Sequence, residues 1–169
     1  VDRVLYLDWE ADQATHEERL WSLTVGRETI PAGAILYRPL FRPLVDHLEQ
    51  VQTEVARHGI NLVICDSLAP ACGTEPEGAD AAVGALNALR SLTTTVICLA
   101  HVSKSAADNS GPARPFGSVF VQNLARSTIE VRRDEGTGDD EITVSLYHRK
   151  CNVGPKARAS ALRFVYEFD

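Results

Sequence analysis

The sequence predicts an α/β fold: a mainly parallel sheet flanked by helices, with antiparallel strands added at the C-terminal edge. Three observations carry this. First, Leu62 to Cys65 is apolar without a polar break and stops at Asp66, as a strand buried on both faces of a parallel sheet does. Second, strand-like and helix-like stretches alternate up to residue 100 in the order β-α-β-α-β-α-β, the pattern of parallel strands joined by helices. Third, the pattern changes after His101. There Ile142 to Tyr147 alternates and Glu135 to Asp140 is rich in turn residues, as in an antiparallel hairpin.

Taken in order, Arg3 to Glu10 reads as a buried strand ending in acidic residues. Asp12 can cap the next helix, and Thr15-x-x-Glu18 is itself a capping-box pattern. Leu20, Trp21 and Leu23 would give that helix its apolar face, with Gly26 as its C-cap. Ala34 to Tyr37 is a short strand. Pro43 suits the first turn of a helix, on which Leu44, Leu48, Val51 and Val55 recur at helical spacing up to His58-Gly59. The central strand, 61–66, follows. After it Pro70, Gly73, Pro76 and Gly78 mark a loop. Residues 79–92 read as a helix with Ala82, Val83, Leu86 and Leu89 on one side. Thr94 to Ala100 reads as another buried strand, ending at His101. Ser103 to Pro115 reads as a mobile loop carrying Lys104 and Arg114. Gly117-Ser118 opens a short helix or turn. Leu124 to Arg133, Ile142 to Tyr147 and Leu162 to Phe168 read as strands. With no internal repeat and no linker, a single domain over residues 1–169 is expected.

Composition narrows the function classes. Hydrophobic residues are 44% and charged residues 24%, ordinary for a globular domain. No apolar run approaches a membrane span and no signal-peptide pattern opens the chain, so no membrane role is expected. The four cysteines, at 65, 72, 98 and 151, form no C-x-x-C pair, which argues against zinc and for a reduced, cytoplasmic setting. The net charge of −6 argues against a protein coated for nucleic acid. Bases concentrate in residues 114–163. That region could face phosphates or a neighbouring subunit, or it could be a solvated face. The chain has no Met and begins at Val1 inside strand-like sequence, so a piece of a longer protein is expected.

Glu10, Asp66 and His101 all stand at strand ends, and parallel strands gather their carboxyl ends at one rim. One acid could orient water, a second could hold Mg²⁺, and a polar group could sense a γ-phosphate. Apart from a phosphate cradle, that is a minimum set for nucleotide hydrolysis. Each residue also has a plainer reading. Asp66 could cap its turn, perhaps with Ser67; Glu10 could complement a helix dipole; His101 could be structural. All three in this order favour the site.

Five stretches carry a resemblance. They are Leu5-Tyr6-Leu7-Asp8-Trp9-Glu10 with Arg19-Leu20; Leu62-Val63-Ile64-Cys65-Asp66-Ser67-Leu68; Leu99-Ala100-His101-Val102-Ser103-Lys104; Gly117-Ser118 with Asn123-Leu124-Ala125-Arg126; and Arg149-Lys150-Cys151-Asn152-Val153-Gly154-Pro155. In this order they resemble the RecA-like P-loop ATPase core, and within it the plasmid replicative helicase RepA and related phage and plasmid ATPases. The resemblance implies that Glu10 polarises the attacking water and that Asp66 is the Walker B aspartate for Mg²⁺, with Ser67 beside the nucleotide. It makes His101 the γ-phosphate sensor, and Arg149 with Lys150 a basic pair that reaches a neighbouring subunit's phosphates. It further implies ATP and Mg²⁺, a homo-oligomeric ring with sites between subunits, and single-stranded DNA at loop 103–115. Lys104 and Arg114 could contact phosphates there, though a solvated loop reads equally well.

One departure is large. The P-loop pattern G-x-x-x-x-G-K-[ST] is absent, and none of the three lysines, at 104, 150 and 156, follows a glycine. In the family the cradle lies just before the strand that here starts near Val1. The expectation is therefore a core fragment of a Mg²⁺- and ATP-dependent DNA-processing motor, of the RepA-type hexameric replicative helicase kind, with hydrolysis only in the full-length parent. Two other readings stay open: a nucleotide-independent relic acting as a binding or assembly module, and a RecA-type recombination or regulatory ATPase.

Overall fold

The computed structural model describes residues 2–25, 30–73, 78–102, 119–134 and 141–165. The elements run β1 (Val4–Asp8), α1 (Gln13–Thr24), β2 (Ile35–Pro39), α2 (Leu44–His58), β3 (Leu62–Asp66), α3 (Leu68–Cys72), α4 (Ala79–Arg90) and β4 (Thr95–Cys98). After these come α5 (Val119–Leu124), β5 (Ser127–Arg133), β6 (Glu141–Cys151) and β7 (Ser160–Val165). The first four strands form a parallel sheet in the order β2-β1-β3-β4. The last three form an antiparallel sheet in the order β5-β6-β7. Both parts of the expected α/β architecture are present, and the antiparallel strands hydrogen-bond to one another as a sheet of their own.

The two faces of the parallel sheet differ in chemistry. Leu5, Leu7, Val63 and Cys65 alternate onto one face and are buried against Leu44, Val51 and Val55 of α2 and Leu89 of α4. Each such aliphatic side chain contributes about 1.5–3 kcal/mol on burial. The other face carries Tyr6 and Asp8 of β1 and Tyr37 of β2, with Tyr6 and Tyr37 directly paired in register. There α1 inserts His16, whose ring lies 4.4 Å from that of Tyr6 and 4.8 Å from that of Tyr37. This corrects the expected apolar face of α1. Trp21 and Leu23 are exposed, and the residue α1 buries is His16. The sheet surface beneath α1 is aromatic and polar, so a polar aromatic side chain fits it better than a leucine stripe. The Asp12 cap is as expected, its carboxylate accepting the Thr15 N–H at 2.8 Å. Gly26 lies outside the described residues.

The α2 signals hold at both ends: the helix begins just after Pro43 and closes at Gly59, whose φ of 60° is the left-handed C-cap conformation that glycine adopts freely. The stretch after Ser67, expected to be loop, instead forms the short helix α3. Its Pro70 lies in the first turn, where N–H groups have no helical partner and proline is tolerated. β4 also differs from expectation. It is four residues long, and Ile97 is 50% exposed rather than buried, because β4 is an edge strand paired only with β3 among the described residues. α5 tucks Val121 against the small side chains Ala82 and Ala85 of α4, which lets the two helices approach closely. No helix among the described residues is long and apolar enough to cross a membrane.

Candidate active site at the strand ends

Backbone hydrogen bonds continue past the strands and bring their following turns to one rim. Trp9 N–H donates to the Asp66 carbonyl at 2.8 Å, and Leu40 N–H donates to the Asp8 carbonyl at 2.7 Å. Leu99 N–H donates to the Cys65 carbonyl at 2.9 Å, and Leu68 N–H returns to the Leu99 carbonyl at 2.8 Å. These links place the turns after β1, β3 and β4 side by side. Glu10, Ser67 and His101 meet as a result. The Ser67 hydroxyl donates to Glu10 Oε1, and His101 Nε2 lies 3.2 Å from that same oxygen. A carboxylate only accepts, so the geometry assigns the imidazole proton to Nε2. Ser67 is fully buried, whereas the Glu10 side chain is 42% exposed. Glu10 Oε1 is therefore fixed by two donors, and its Oε2 accepts no hydrogen bond among the described residues. A carboxylate so held can accept a proton from a water molecule at the rim.

Asp66 stands one residue earlier, opposite Asp8 in the β1–β3 register. The Tyr6 hydroxyl donates to its Oδ2 at 2.6 Å. Burial, together with Asp66 itself, pushes the Tyr6 phenol well above its usual value, so it remains a donor at every physiological pH. Asp66 Oδ1 accepts no hydrogen bond among the described residues and can take a cation. Mg²⁺ is typically held by one or two carboxylates plus waters and substrate phosphates, not by an all-protein cage. One half-committed aspartate fits that mode, and no cluster of three or more potential metal ligands occurs among the described residues.

Asp8 had no assigned part in the sequence reading, and it is the most heavily bonded carboxylate of the rim. It is 3% exposed. Its Oδ1 accepts the N–H groups of Glu10 at 2.8 Å and Ala11 at 3.0 Å. Its Oδ2 lies 3.1 Å from the Tyr37 hydroxyl, which is also 3.0 Å from the Ala11 carbonyl. Burial and then Asp8 push the Tyr37 phenol up to about 12. The signal was present in the sequence: an aspartate followed closely by a turn often bonds the backbone two residues on.

The remaining candidates lie elsewhere. Arg149 and Lys150 are successive on β6, and Arg149 falls at a register irregularity, passed over between the pairs Thr128–Lys150 and Ile129–His148. Arg149 Nε donates to Glu130 Oε2, and its guanidinium lies 4.4 Å from the Tyr147 ring centroid. Lys150 Nζ donates to the carbonyls of Gln122 and Asn123 at 2.9 and 2.8 Å, satisfying the end of α5 where carbonyls lack helical partners. Lys104 and Arg114, with the whole of loop 103–115, lie outside the described residues.

A family model described as an AAA domain matches residues 2–107, a span that contains Glu10, Asp66, Ser67 and His101 and ends before Arg114, Arg149 and Lys150. No curated protein matches the chain. The family match covers more than half of the chain, includes every strand of the parallel sheet and contains the rim where the acidic residues meet. The chain belongs to the AAA domain family, whose members are of ATPase type.

Proposed function

We propose that this chain is the core of a Mg²⁺- and ATP-dependent DNA-processing motor that works as a homo-oligomeric ring, of the RepA-type replicative helicase kind. The observation that carries the reading is the convergence of Glu10 and Asp66 at adjacent strand ends, one carboxylate steadied by Ser67 and His101, the other by Tyr6. In this reading Glu10 Oε2 takes a proton from water as the water oxygen bonds to the γ-phosphorus. The bond from that phosphorus to the β–γ bridging oxygen breaks, and ADP carries the electron pair away. Asp66 would hold Mg²⁺, which supplies charge neutralisation on the phosphate oxygens when bound. His101 keeps Glu10 aimed and lies at the rim where a γ-phosphate would be sensed.

Arg149 is the better of the two basic candidates for a finger into a neighbouring subunit. Its Nε is engaged with Glu130, which leaves the η nitrogens as donors, whereas Lys150 is tied to α5. Lys104 and Arg114 are proposed contacts to single-stranded DNA phosphates. The four free thiols suit a reducing, cytoplasmic setting. The 169 residues hold no G-x-x-x-x-G-K-[ST] cradle, and the proposal places that cradle elsewhere in the full-length protein.

One observation favours a second reading, an assembly module. β4 leaves an edge unpaired among the described residues and exposes Ile97 and Leu99, and such edges invite another strand. The test is ATP hydrolysis by the full-length protein, with and without Mg²⁺ and single-stranded DNA, beside strand displacement on a forked duplex. Mg²⁺-dependent hydrolysis with displacement is expected. Hydrolysis without displacement would make it a recombination or regulatory ATPase. No hydrolysis would leave the assembly reading standing.

A further inference from the structure

Two aspartates end neighbouring strands in register, Asp8 on β1 and Asp66 on β3. Each has a tyrosine hydroxyl from the adjoining strand two register positions back. Tyr6 of β1 donates to Asp66, and Tyr37 of β2 reaches Asp8. Despite this repeated geometry the two carboxylates are left in different states. Asp66 Oδ1 accepts no hydrogen bond among the described residues. Asp8 is closed: its Oδ1 accepts two backbone N–H groups, its Oδ2 lies against the Tyr37 hydroxyl, and burial removes it from solvent. Three of the roughly four acceptor sites of such a carboxylate are taken up within the turn, so its bonding is directed to its own turn.

We propose that Asp8 is a positioning residue: it fixes the backbone of the β1–α1 turn so that the Glu10 side chain meets Ser67 and His101. The mechanism is local. Glu10 and Ala11 follow β1 directly and belong neither to it nor to α1, so their N–H groups need another partner. Asp8 Oδ1 supplies it for both, and Tyr37 completes the closure by bridging toward the Ala11 carbonyl. Without that anchor the turn is free to rotate, and Glu10 moves relative to its two donors. A displacement of about 1 Å in a reacting group can cost about 100-fold in rate. This inference rests on Glu10 acting as the base for water, but the anchoring itself does not.

Charge is separable from hydrogen bonding here. In Asp8→Asn the side-chain oxygen still accepts both N–H groups. The new NH₂ faces the Tyr37 oxygen, which can accept while its own proton goes to the Ala11 carbonyl. In Asp8→Ala both contacts are lost. The experiment is amide hydrogen exchange at Glu10 and Ala11 in the full-length protein, paired with kcat and nucleotide Kd. Asp8→Ala is expected to speed exchange at both amides by about tenfold or more, in line with losing a charge-assisted bond. It should lower kcat by about 100-fold while holding nucleotide affinity. Asp8→Asn is expected to restore the protection and most of kcat. Unchanged exchange in Asp8→Ala would overturn the proposal. So would an Asp8→Asn variant as impaired as Asp8→Ala, since the carboxylate charge would then be what matters. Should Asp8→Ala fail to fold, Tyr37→Phe carries the test, with faster Ala11 exchange and lower kcat expected, and no change in either overturning it. A full-length protein that hydrolyses no ATP would end the functional reading, whereas the exchange measurement would still decide the anchor.

Discussion

Replacing Glu10 by Gln is expected to cut ATP hydrolysis by the full-length protein sharply and to leave nucleotide binding in place. The carboxamide keeps the volume and an oxygen that can still accept from Ser67 and His101, so the turn and the rim should hold their shape. What it loses is the basic oxygen that, in the proposed mechanism, accepts a proton from water. A positioned general base contributes about 10²–10⁴ in rate, and a fall in kcat of that size is the expected result. Nucleotide Kd should stay within about threefold, because an interaction made only in the transition state changes kcat without changing ground-state binding. Phosphate-release kinetics and a fluorescent-nucleotide titration read the two quantities separately. A loss of binding equal to the loss of rate would show that Glu10 acts in holding the substrate.

Arg149→Ala is expected to be costlier still. A finger that reaches a neighbouring subunit's phosphates contributes about 10³–10⁵ in kcat in other phosphoryl-transfer systems. Arg149 is suited to the part: its guanidinium lies over the Tyr147 ring and its Nε pairs with Glu130. The decisive form of the test is mixing. Arg149→Ala subunits keep an intact Glu10, and Glu10→Gln subunits keep an intact Arg149. In a random mixed ring roughly a quarter of the head-to-tail interfaces pair a good site with a good finger. Activity should therefore reappear when two inactive variants are combined. If the mixture stays inactive while rings form, Arg149 acts within its own chain, through Glu130 or the fold of the antiparallel sheet.

The rim was legible in the sequence because a buried parallel strand announces itself as an unbroken apolar run, and Asp66 ends one. The same logic placed Glu10 and His101 beside it, and the structure brings Glu10, Ser67 and His101 into contact. Asp8 escaped notice because its partners are backbone N–H groups and a tyrosine from a strand some thirty residues on, and register is not written in either strand alone. The apolar face expected of α1 failed for a related reason. Helical spacing puts Leu20, Trp21 and Leu23 near one another, but what α1 covers is set by Tyr6 and Tyr37 across the sheet, and His16 fills that space. β4 was read as buried from its apolar residues, yet among the described residues it pairs with β3 alone, and an edge strand can keep such a pattern. Arg149 and Lys150, adjacent in sequence, were read as one basic pair. The structure gives them different partners: Arg149 bonds Glu130 through Nε and lies over Tyr147, whereas Lys150 bonds the carbonyls at the end of α5.

The central claim is that the strand-end rim is a Mg²⁺–nucleotide site. The most direct measurement is the Mg²⁺ dependence of binding of a non-hydrolysable ATP analogue to the full-length protein, wild type against Asp66→Asn. The account predicts that Mg²⁺ strengthens binding to the wild type and that Asp66→Asn removes about tenfold or more of that gain, because the amide lacks the charge that a hard cation prefers, while binding without Mg²⁺ is the same for both. An Asp66→Asn protein whose binding responds to Mg²⁺ as the wild type does would contradict it, and Asp66 would then be a strand-end residue held by Tyr6 and nothing more.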